Sequence, residues 1–114
     1  MKASHVTKKP WGEFRQFTLN QESTVKTLSV NQGEELSLQT HTSREEYWYV
    51  LDGHPRITQG KDIFDAEPGR EFFIEQGEKH RIAAPIDDVR ILEIAYGHFD
   101  EDDIVRLEDR YDRS

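Results

Sequence analysis

The chain has 114 residues with 34% apolar content, a formal net charge of −8 at pH 7 and no cysteine. The acidic charge argues against nucleic-acid or anionic-membrane partners, because these are bound through clustered Lys and Arg. The lack of cysteine excludes disulfides and thiolate metal sites. No segment approaches the roughly 20 apolar residues that span a bilayer, so we expect residues 1–114 to form one soluble, cytoplasmic domain.

The predicted elements are mostly β-strands, because short runs rich in aromatic and β-branched residues recur between turn signals. In chain order the runs are TVKTLSV (24–30), ELSLQT (35–40), EYWYVL (46–51), PRITQ (55–59), EFFIE (71–75), HRIAA (80–84) and VRILEIAYG (89–97). Gly and Pro mark turns at NQGE (31–34), LDGHP (51–55), EPGR (67–70) and EQGEK (75–79). This succession of short strands predicts an all-β sandwich or barrel.

The C-terminal segment FDEDDIVRLEDRY (99–111) has a different pattern, which is typical of a helix. Asp100 is a suitable N-cap and acidic residues fill the first turn. Ile104, Leu107 and Tyr111 would share one apolar face. We therefore predict a short C-terminal helix packed on the barrel.

Four nitrogen- and oxygen-bearing side chains fall where predicted strands would bring them together. Side chains alternate between the faces of a strand, so Gln39 and His41 point the same way. Glu46 begins the next long run, and His80 begins the run after the turn at 75–79. This set suits an open metal site, although an isolated strand histidine is more often a hydrogen-bonded structural residue, and the residues alone leave both roles open.

The spacing of glycines and candidate ligands resembles the two cupin motifs. The matching residues are Gly33-x5-Gln39-x-His41-x4-Glu46-x6-Gly53, with Gln in place of the first His, and Gly69-x7-Gly77-x2-His80. The segments that resemble the cupin domain of type II mannose-6-phosphate isomerases are KPWG (9–12), GEELSLQTH (33–41), REEYW (44–48), GEKHRI (77–82) and the tail (99–111). That domain also ends bifunctional isomerase/guanylyltransferases, and the match runs from about Lys9 to Arg113.

The resemblance implies a cupin fold, that is, a double-stranded β-helix or jelly-roll barrel. It implies one divalent metal ion, Zn, Mn, Fe, Co or Ni, bound by residues matching Gln39, His41, Glu46 and His80. It also implies interconversion of mannose 6-phosphate and fructose 6-phosphate. The guanylyltransferase part has no counterpart in these residues, so only the isomerase part is expected.

Four basic residues are candidates for contact with the substrate. Arg44 lies between the ligand positions, where a guanidinium can bind a phosphate or an enediolate oxygen, and we predict a catalytic role for it in preference to a solvated charge. Arg106 and Arg110 would share a face of the predicted helix, although pairing with nearby acidic residues is the simpler interpretation. Lys9 is the fourth candidate, and no residue is assigned as the base.

Two alternatives to an isomerase remain open. The segment HTSR (41–44) replaces the family's usual HHHR, which favours a non-catalytic cupin that binds a sugar or sugar phosphate. The same ligand set can also hold iron for oxygenation of a small molecule. A homodimer is expected on general grounds, because small β-domains often pair to cover exposed edge strands.

Overall fold

The structure is a computed structural model that describes residues 4–111. Within this range the chain forms strands, turns and irregular segments and contains no helix, so the described residues include no membrane-spanning helix. The strands are β1 His5–Lys9, β2 Gly12–Gln16, β3 Ser23–Val30, β4 Leu38–Thr40, β5 Glu46–Asp52, β6 Arg56–Gln59, β7 Asp62–Asp65, β8 Glu71–Ile74, β9 His80–Ala83, β10 Val89–Tyr96 and β11 Val105–Glu108.

Two antiparallel sheets face each other across the core. One has the order β3-β10-β5-β8 and the other the order β11-β4-β9-β6-β7. Sequence neighbours such as β3 and β4 lie in different sheets, which is the jelly-roll arrangement of a cupin. The predicted all-β cupin fold is confirmed.

The core between the sheets follows from strand alternation. Val50 and Ile91 pair across β5 and β10, while Ile57 and Ile82 pair across β6 and β9. All four side chains are completely buried. Burying an aliphatic side chain of this size stabilises a fold by about 1.5–3 kcal/mol. This apolar layer therefore supports the buried polar residues next to it.

The turn after β5 requires a glycine. Gly53 has a φ of +83°, and a Cβ at this position would lie 2.2 Å from the carbonyl oxygen of Asp88. Both the left-handed backbone and the close approach of another strand end exclude a larger residue. The glycine therefore allows the chain to turn tightly beside the start of β10.

The predicted C-terminal helix is wrong. Val105–Glu108 forms β11, which pairs with the edge of β4 through Val105 and Arg106. The Asp100 carboxylate accepts from the backbone N–H of Asp102 in a turn instead of capping a helix. Leu107 is 46% exposed, so the apolar face of the supposed helix is not buried. Local helix signals were outweighed because β4 offers unpaired backbone groups that a strand can satisfy.

The hairpin formed by β1 and β2 makes a separate two-stranded sheet. Phe17, just after it, packs against the rings of Tyr47 and Tyr49 on β5. Trp11, at the hairpin turn, is 72% exposed and lies outside the core.

Candidate metal centre

Three predicted ligands converge between the two sheets. The candidate ligand atoms of His41, Glu46 and His80 all lie within 4.8 Å of one another. The three residues are only 4%, 1% and 2% exposed. His41 follows β4 and His80 begins β9 in one sheet, while Glu46 begins β5 in the other. The cluster could therefore hold a metal ion between the sheets.

Both imidazoles are oriented by backbone carbonyls. The Nδ1 atoms of His41 and His80 lie 2.6 and 2.8 Å from the carbonyl oxygens of Asp103 and Glu78. A carbonyl oxygen can only accept, so each Nδ1 carries a proton and each Nε2 presents a lone pair to the centre. Burial lowers the pKa of His80, which favours the neutral imidazole that a metal requires.

The Nε2 atom of His80 provides the test of fit. It is buried and has no hydrogen-bond partner within the described residues. A buried acceptor without a partner is costly, and a metal ion would satisfy it. Together with the carboxylate of Glu46 and the imidazole of His41, this unpaired lone pair fits a divalent cation.

Glu46 is held by two donors. Its Oε2 accepts from the Nε of Arg44 at 2.9 Å, and its Oε1 accepts from the indole N–H of Trp48 at 3.1 Å. The same oxygens lie 3.4 Å from the Nε2 of His41 and 3.9 Å from that of His80. The carboxylate is therefore oriented toward both imidazoles while it retains lone pairs for an ion.

Arg44 lies at the centre with its donors directed at the protein. Besides Glu46, its guanidinium reaches the carbonyl oxygen of Asp100 at 3.0 Å and the Nε2 of His41 at 3.2 Å. It also stacks on Phe99, 4.4 Å from the ring centroid, and the residue is only 8% exposed. Since an imidazole nitrogen has one lone pair, a metal bound to His41 would replace the contact with Arg44.

A cavity of about 700 Å³ opens beside these residues. Its walls include two rows of side chains that are paired across neighbouring strands, Lys26–Glu93–Trp48 from one sheet and Arg106–Gln39–His80 from the other. Residues paired in this way share a face of the sheet. The centre is thus open to a small molecule.

Gln39, the fourth predicted ligand, lines the cavity next to a β-bulge. Glu35 pairs with Ala83, but Gln39 pairs with His80, so the chain around β4 has one extra residue between these two points. Both Leu36 and Gln39 consequently line the cavity, which strict alternation would not allow. The amide nitrogen of Gln39 points to the carbonyl oxygen of Ser37 at 3.4 Å, which leaves the amide oxygen as its candidate ligand atom. Its coordination of a metal stays a prediction.

The family model described as "Mannose-6-phosphate isomerase C-terminal" matches residues 1–109. The chain belongs to this family. It is 34% identical over 108 residues to the xanthan biosynthesis protein XanB of Xanthomonas campestris pv. campestris, covering 93% of this chain and 23% of XanB. It is 33% identical over 110 residues to the mannose-1-phosphate guanylyltransferase ManC of Salmonella typhimurium, covering 92% and 22%. The chain thus spans less than a quarter of the length of these relatives.

Solved structures resemble the fold of this family member. A cupin 2 conserved barrel domain protein from Rhodopseudomonas palustris superposes with a TM-score of 0.66 at 20% identity, over 90% of this chain and 80% of that one. This likeness concerns the cupin barrel alone.

The predicted substrate contacts of this mannose-6-phosphate isomerase C-terminal domain separate into two groups. Arg44 and Arg106 lie at the cavity. Arg110 instead pairs with Glu35 and with the carbonyl oxygen of Gly33, away from the cavity. The face that Arg106 and Arg110 were predicted to share depended on the helix, and that part of the prediction is wrong.

Lys9 also lies apart from the centre. It ends β1, where its Nζ lies 5.9 Å from the centroid of the Phe14 ring, and it does not line the cavity. The hairpin that carries it packs on the outer face of β5 through Phe17, whereas the cavity lies on the inner face. The structure therefore does not bring Lys9 to the other candidates.

Two charged residues at the cavity were missed in the sequence. Glu93 and Lys26 pair across β10 and β3, and Glu93 is only 7% exposed. Burial, and then the charge of Glu46, raises the pKa of Glu93 to about 7. Alternation contains the signal for both, since Glu93 shares the inward face with Ile91 and Lys26 shares it with Leu28.

The segment that departs from the family's HHHR pattern contacts a neighbouring loop. Of its donors to that loop, the Thr42 hydroxyl depends on the departure, since backbone N–H groups are present with any non-proline residue. Residues 97–104, here named the acidic loop, cover the segment that begins at His41. The carboxylate of Asp103 accepts from the backbone N–H of Thr42 at 2.8 Å, from its hydroxyl at 2.8 Å and from the backbone N–H of Ser43 at 2.9 Å. Thr42 and Ser43 thus fasten the loop whose carbonyl orients His41.

Proposed function

We propose that this domain is a metal-dependent aldose–ketose isomerase that interconverts mannose 6-phosphate and fructose 6-phosphate. The observation that carries the proposal is the buried cluster of His41, Glu46 and His80 beside an open cavity, in a chain of the mannose-6-phosphate isomerase C-terminal family. The reaction moves a proton between C1 and C2 of the sugar through an enediol, so it needs stabilisation of a developing oxyanion. The position of the cluster supports such a role.

The metal would be held by Gln39, His41, Glu46 and His80. Nitrogen and oxygen donors of this kind suit Zn, Mn, Fe, Co or Ni. When bound, a divalent ion supplies a Lewis acid that polarises a sugar oxygen. The residues around it would keep the ligands in place: the carbonyl oxygens of Asp103 and Glu78 orient the two imidazoles, and the indole of Trp48 orients the carboxylate.

The test is an isomerase assay on the purified domain. Mannose 6-phosphate would be incubated with the domain and each of Zn²⁺, Mn²⁺, Fe²⁺, Co²⁺ and Ni²⁺ in turn, and the sugar signals followed by NMR. Fructose 6-phosphate should form in the presence of at least one metal and should not form with the His80→Gln variant. Absence of product with all five metals would refute the proposal.

A second candidate is a non-catalytic domain that binds a sugar phosphate. The observation that favours it is the engagement of Arg44, whose donors are directed to Glu46, His41 and Asp100. A guanidinium that is already hydrogen-bonded to the protein has fewer donors for an enediolate. Saturable binding of mannose 6-phosphate without turnover would support this candidate over the first.

A further inference from the structure

We propose that Lys26 and Arg106 form an anion subsite that binds the phosphate group of the sugar phosphate. This inference rests on the proposed function for the identity of the sugar. It assigns the phosphate to one edge strand of each sheet, β3 and β11, and to a lysine that the sequence patterns did not single out.

The basic residues of the cavity differ in the partners that the folded chain gives them. Lys26, Arg44 and Arg106 all line the cavity, but Arg44 is hydrogen-bonded to Glu46, His41 and Asp100. By contrast, neither Lys26 nor Arg106 forms an ion pair within residues 4–111. Lys26 and Arg106 are therefore the cations at the cavity whose charge is not paired with a carboxylate of the described residues, whereas that of Arg44 is.

The guanidinium of Arg106 has an unsatisfied donor at the cavity. Its Nε is buried and, in the part of the chain that the structure describes, has no acceptor. A guanidinium has five N–H donors in a planar fork that matches phosphate oxygens. A buried donor without an acceptor beside a cavity is what an anion would satisfy.

The ammonium group of Lys26 is positioned by an aromatic ring. Its Nζ lies 4.1 Å from the centroid of the Phe99 ring, whose other contact is the guanidinium of Arg44. A cation–π contact holds an ammonium over the ring while its N–H donors remain able to reach other acceptors. Phe99 therefore holds the ammonium of Lys26 at the cavity.

Lys26 and Arg106 lie at a distance from the candidate metal centre that suits a sugar phosphate. Lys26 is two strands from Trp48, with Glu93 between them, and Arg106 is two strands from His80, with Gln39 between them. Neighbouring strands are about 4.8 Å apart, so the backbone of Arg106 lies about 10 Å from that of His80 and about 5 Å from that of Gln39, while the backbone of Lys26 lies about 10 Å from that of Trp48. A hexose 6-phosphate that extends from C1 at the metal centre places its phosphate toward these longer side chains.

The carboxylates at the cavity differ in how closely they are associated with these cations. Glu46 is paired with Arg44, and Glu101 and Asp102 are exposed to solvent on the acidic loop, where water screens their charge. Glu93 is the cross-strand neighbour of Lys26. A purely structural alternative is that Lys26 serves only to neutralise the charge of Glu93. The experiment below separates this structural role from phosphate binding.

The experiment measures affinity for mannose 6-phosphate, mannose and inorganic phosphate by calorimetry, with Mn²⁺ present. The variants Lys26→Met and Arg106→Gln should each weaken binding of mannose 6-phosphate by about 10–100-fold, the range for loss of a charge-assisted hydrogen bond. Affinity for unphosphorylated mannose and the bound Mn²⁺ should stay within about twofold, the scatter expected of a neutral change. Lys26→Arg and Arg106→Lys keep the charge and should recover much of the affinity.

Lys9→Met and Arg110→Gln are matched controls, because both are basic and lie outside the cavity; they should bind mannose 6-phosphate like the wild type. The subsite is overturned if Lys26→Met and Arg106→Gln bind it as tightly as the wild type, or if the wild type binds neither mannose 6-phosphate nor phosphate. Tight binding by the wild type that depends on both residues, without turnover, would support the subsite and refute the isomerase proposal. Turnover that does not change in either variant would support the isomerase proposal and refute the subsite.

Discussion

Glu46 is the residue on which the centre depends most. Its two oxygens accept from Arg44 and Trp48 and face both imidazoles, in a position that is 1% exposed. A carboxylate buried this deeply requires such partners, and Arg44 in turn requires the carboxylate.

Replacing the charge of Glu46 should therefore destabilise the protein. We expect Glu46→Gln to lower the free energy of unfolding by about 3–5 kcal/mol, because a buried Arg44 would lose its counter-charge. Urea denaturation of the metal-free protein measures this change. Glu67→Gln, an exposed glutamate near Gly69, serves as the control and should change stability by less than about 0.5 kcal/mol. Equal midpoints for the two variants would contradict this account of Glu46.

His80 allows a direct test of the centre at the residue scale. We expect His80→Gln to bind a divalent metal at least about 100-fold more weakly, since removal of even a partner behind a ligand costs about 10–100-fold. His54→Gln is the matched control, because His54 is exposed and pairs with Asp87. Metal content by elemental analysis after dialysis gives the readout. Unchanged metal in the His80 variant would remove it from the ligand set.

At the scale of elements, the acidic loop connects the end of the barrel to the centre. Asp103 contributes both its carbonyl oxygen, which orients His41, and its carboxylate, which binds Thr42 and Ser43. The loop was expected to start a helix, and it instead forms turns that end in β11. Asp103 therefore has a structural role at the centre.

The variant Asp103→Ala tests this connection. Loss of three hydrogen bonds should let the loop move, so that His41 is oriented less well and metal affinity falls by about 10–100-fold. Asp102→Ala is the control within the same loop, because the exposed side chain of Asp102 lines the cavity without fastening the loop. Calorimetric titration with Mn²⁺ compares the two. A similar loss in both variants would mean that loop charge, and not the fastening, sets the affinity.

On the scale of the whole molecule, the centre joins the two sheets. His41 and His80 belong to the five-stranded sheet, while Glu46 belongs to the four-stranded sheet. An ion bound by all three would link the two sheets next to the apolar core, which includes Val50 and Ile57. Folding stability and metal binding are then coupled.

Metal removal should accordingly lower thermal stability. A metal present at 100 times its Kd adds about 2.7 kcal/mol to the folded state, which corresponds to a rise in Tm of several degrees or more for a domain of this size. Scanning calorimetry with and without a chelator measures the difference. The Glu46→Gln variant should lose most of this response. A wild-type Tm that is indifferent to chelator and to each added metal would contradict the coupling.

Several residues of the candidate site could be predicted from local patterns. Period-two alternation along predicted strands points His41, Glu46 and His80 inward, and the structure brings them together. The same rule would have found Glu93 and Lys26, which lie among apolar residues on inward faces. Alternation also predicts that Gln39 points the same way as His41, and both line the cavity. The bulge that brings Leu36 to the cavity as well has no comparable signal, since it arises from pairing with β9.

Short-range physical chemistry specified the strands, the turn at Gly53 and the inward faces, because alternation and backbone preference act within a few residues. Pairing between distant segments specified the rest. Residues 105–108 form a strand because the edge of β4 offers unpaired backbone groups. The guanidinium of Arg44 is held in place because it is hydrogen-bonded to Glu46, His41 and Asp100. The candidate metal ligands follow from residue type and spacing, whereas the hydrogen-bond donors that remain available at the cavity depend on the partners that the folded chain supplies.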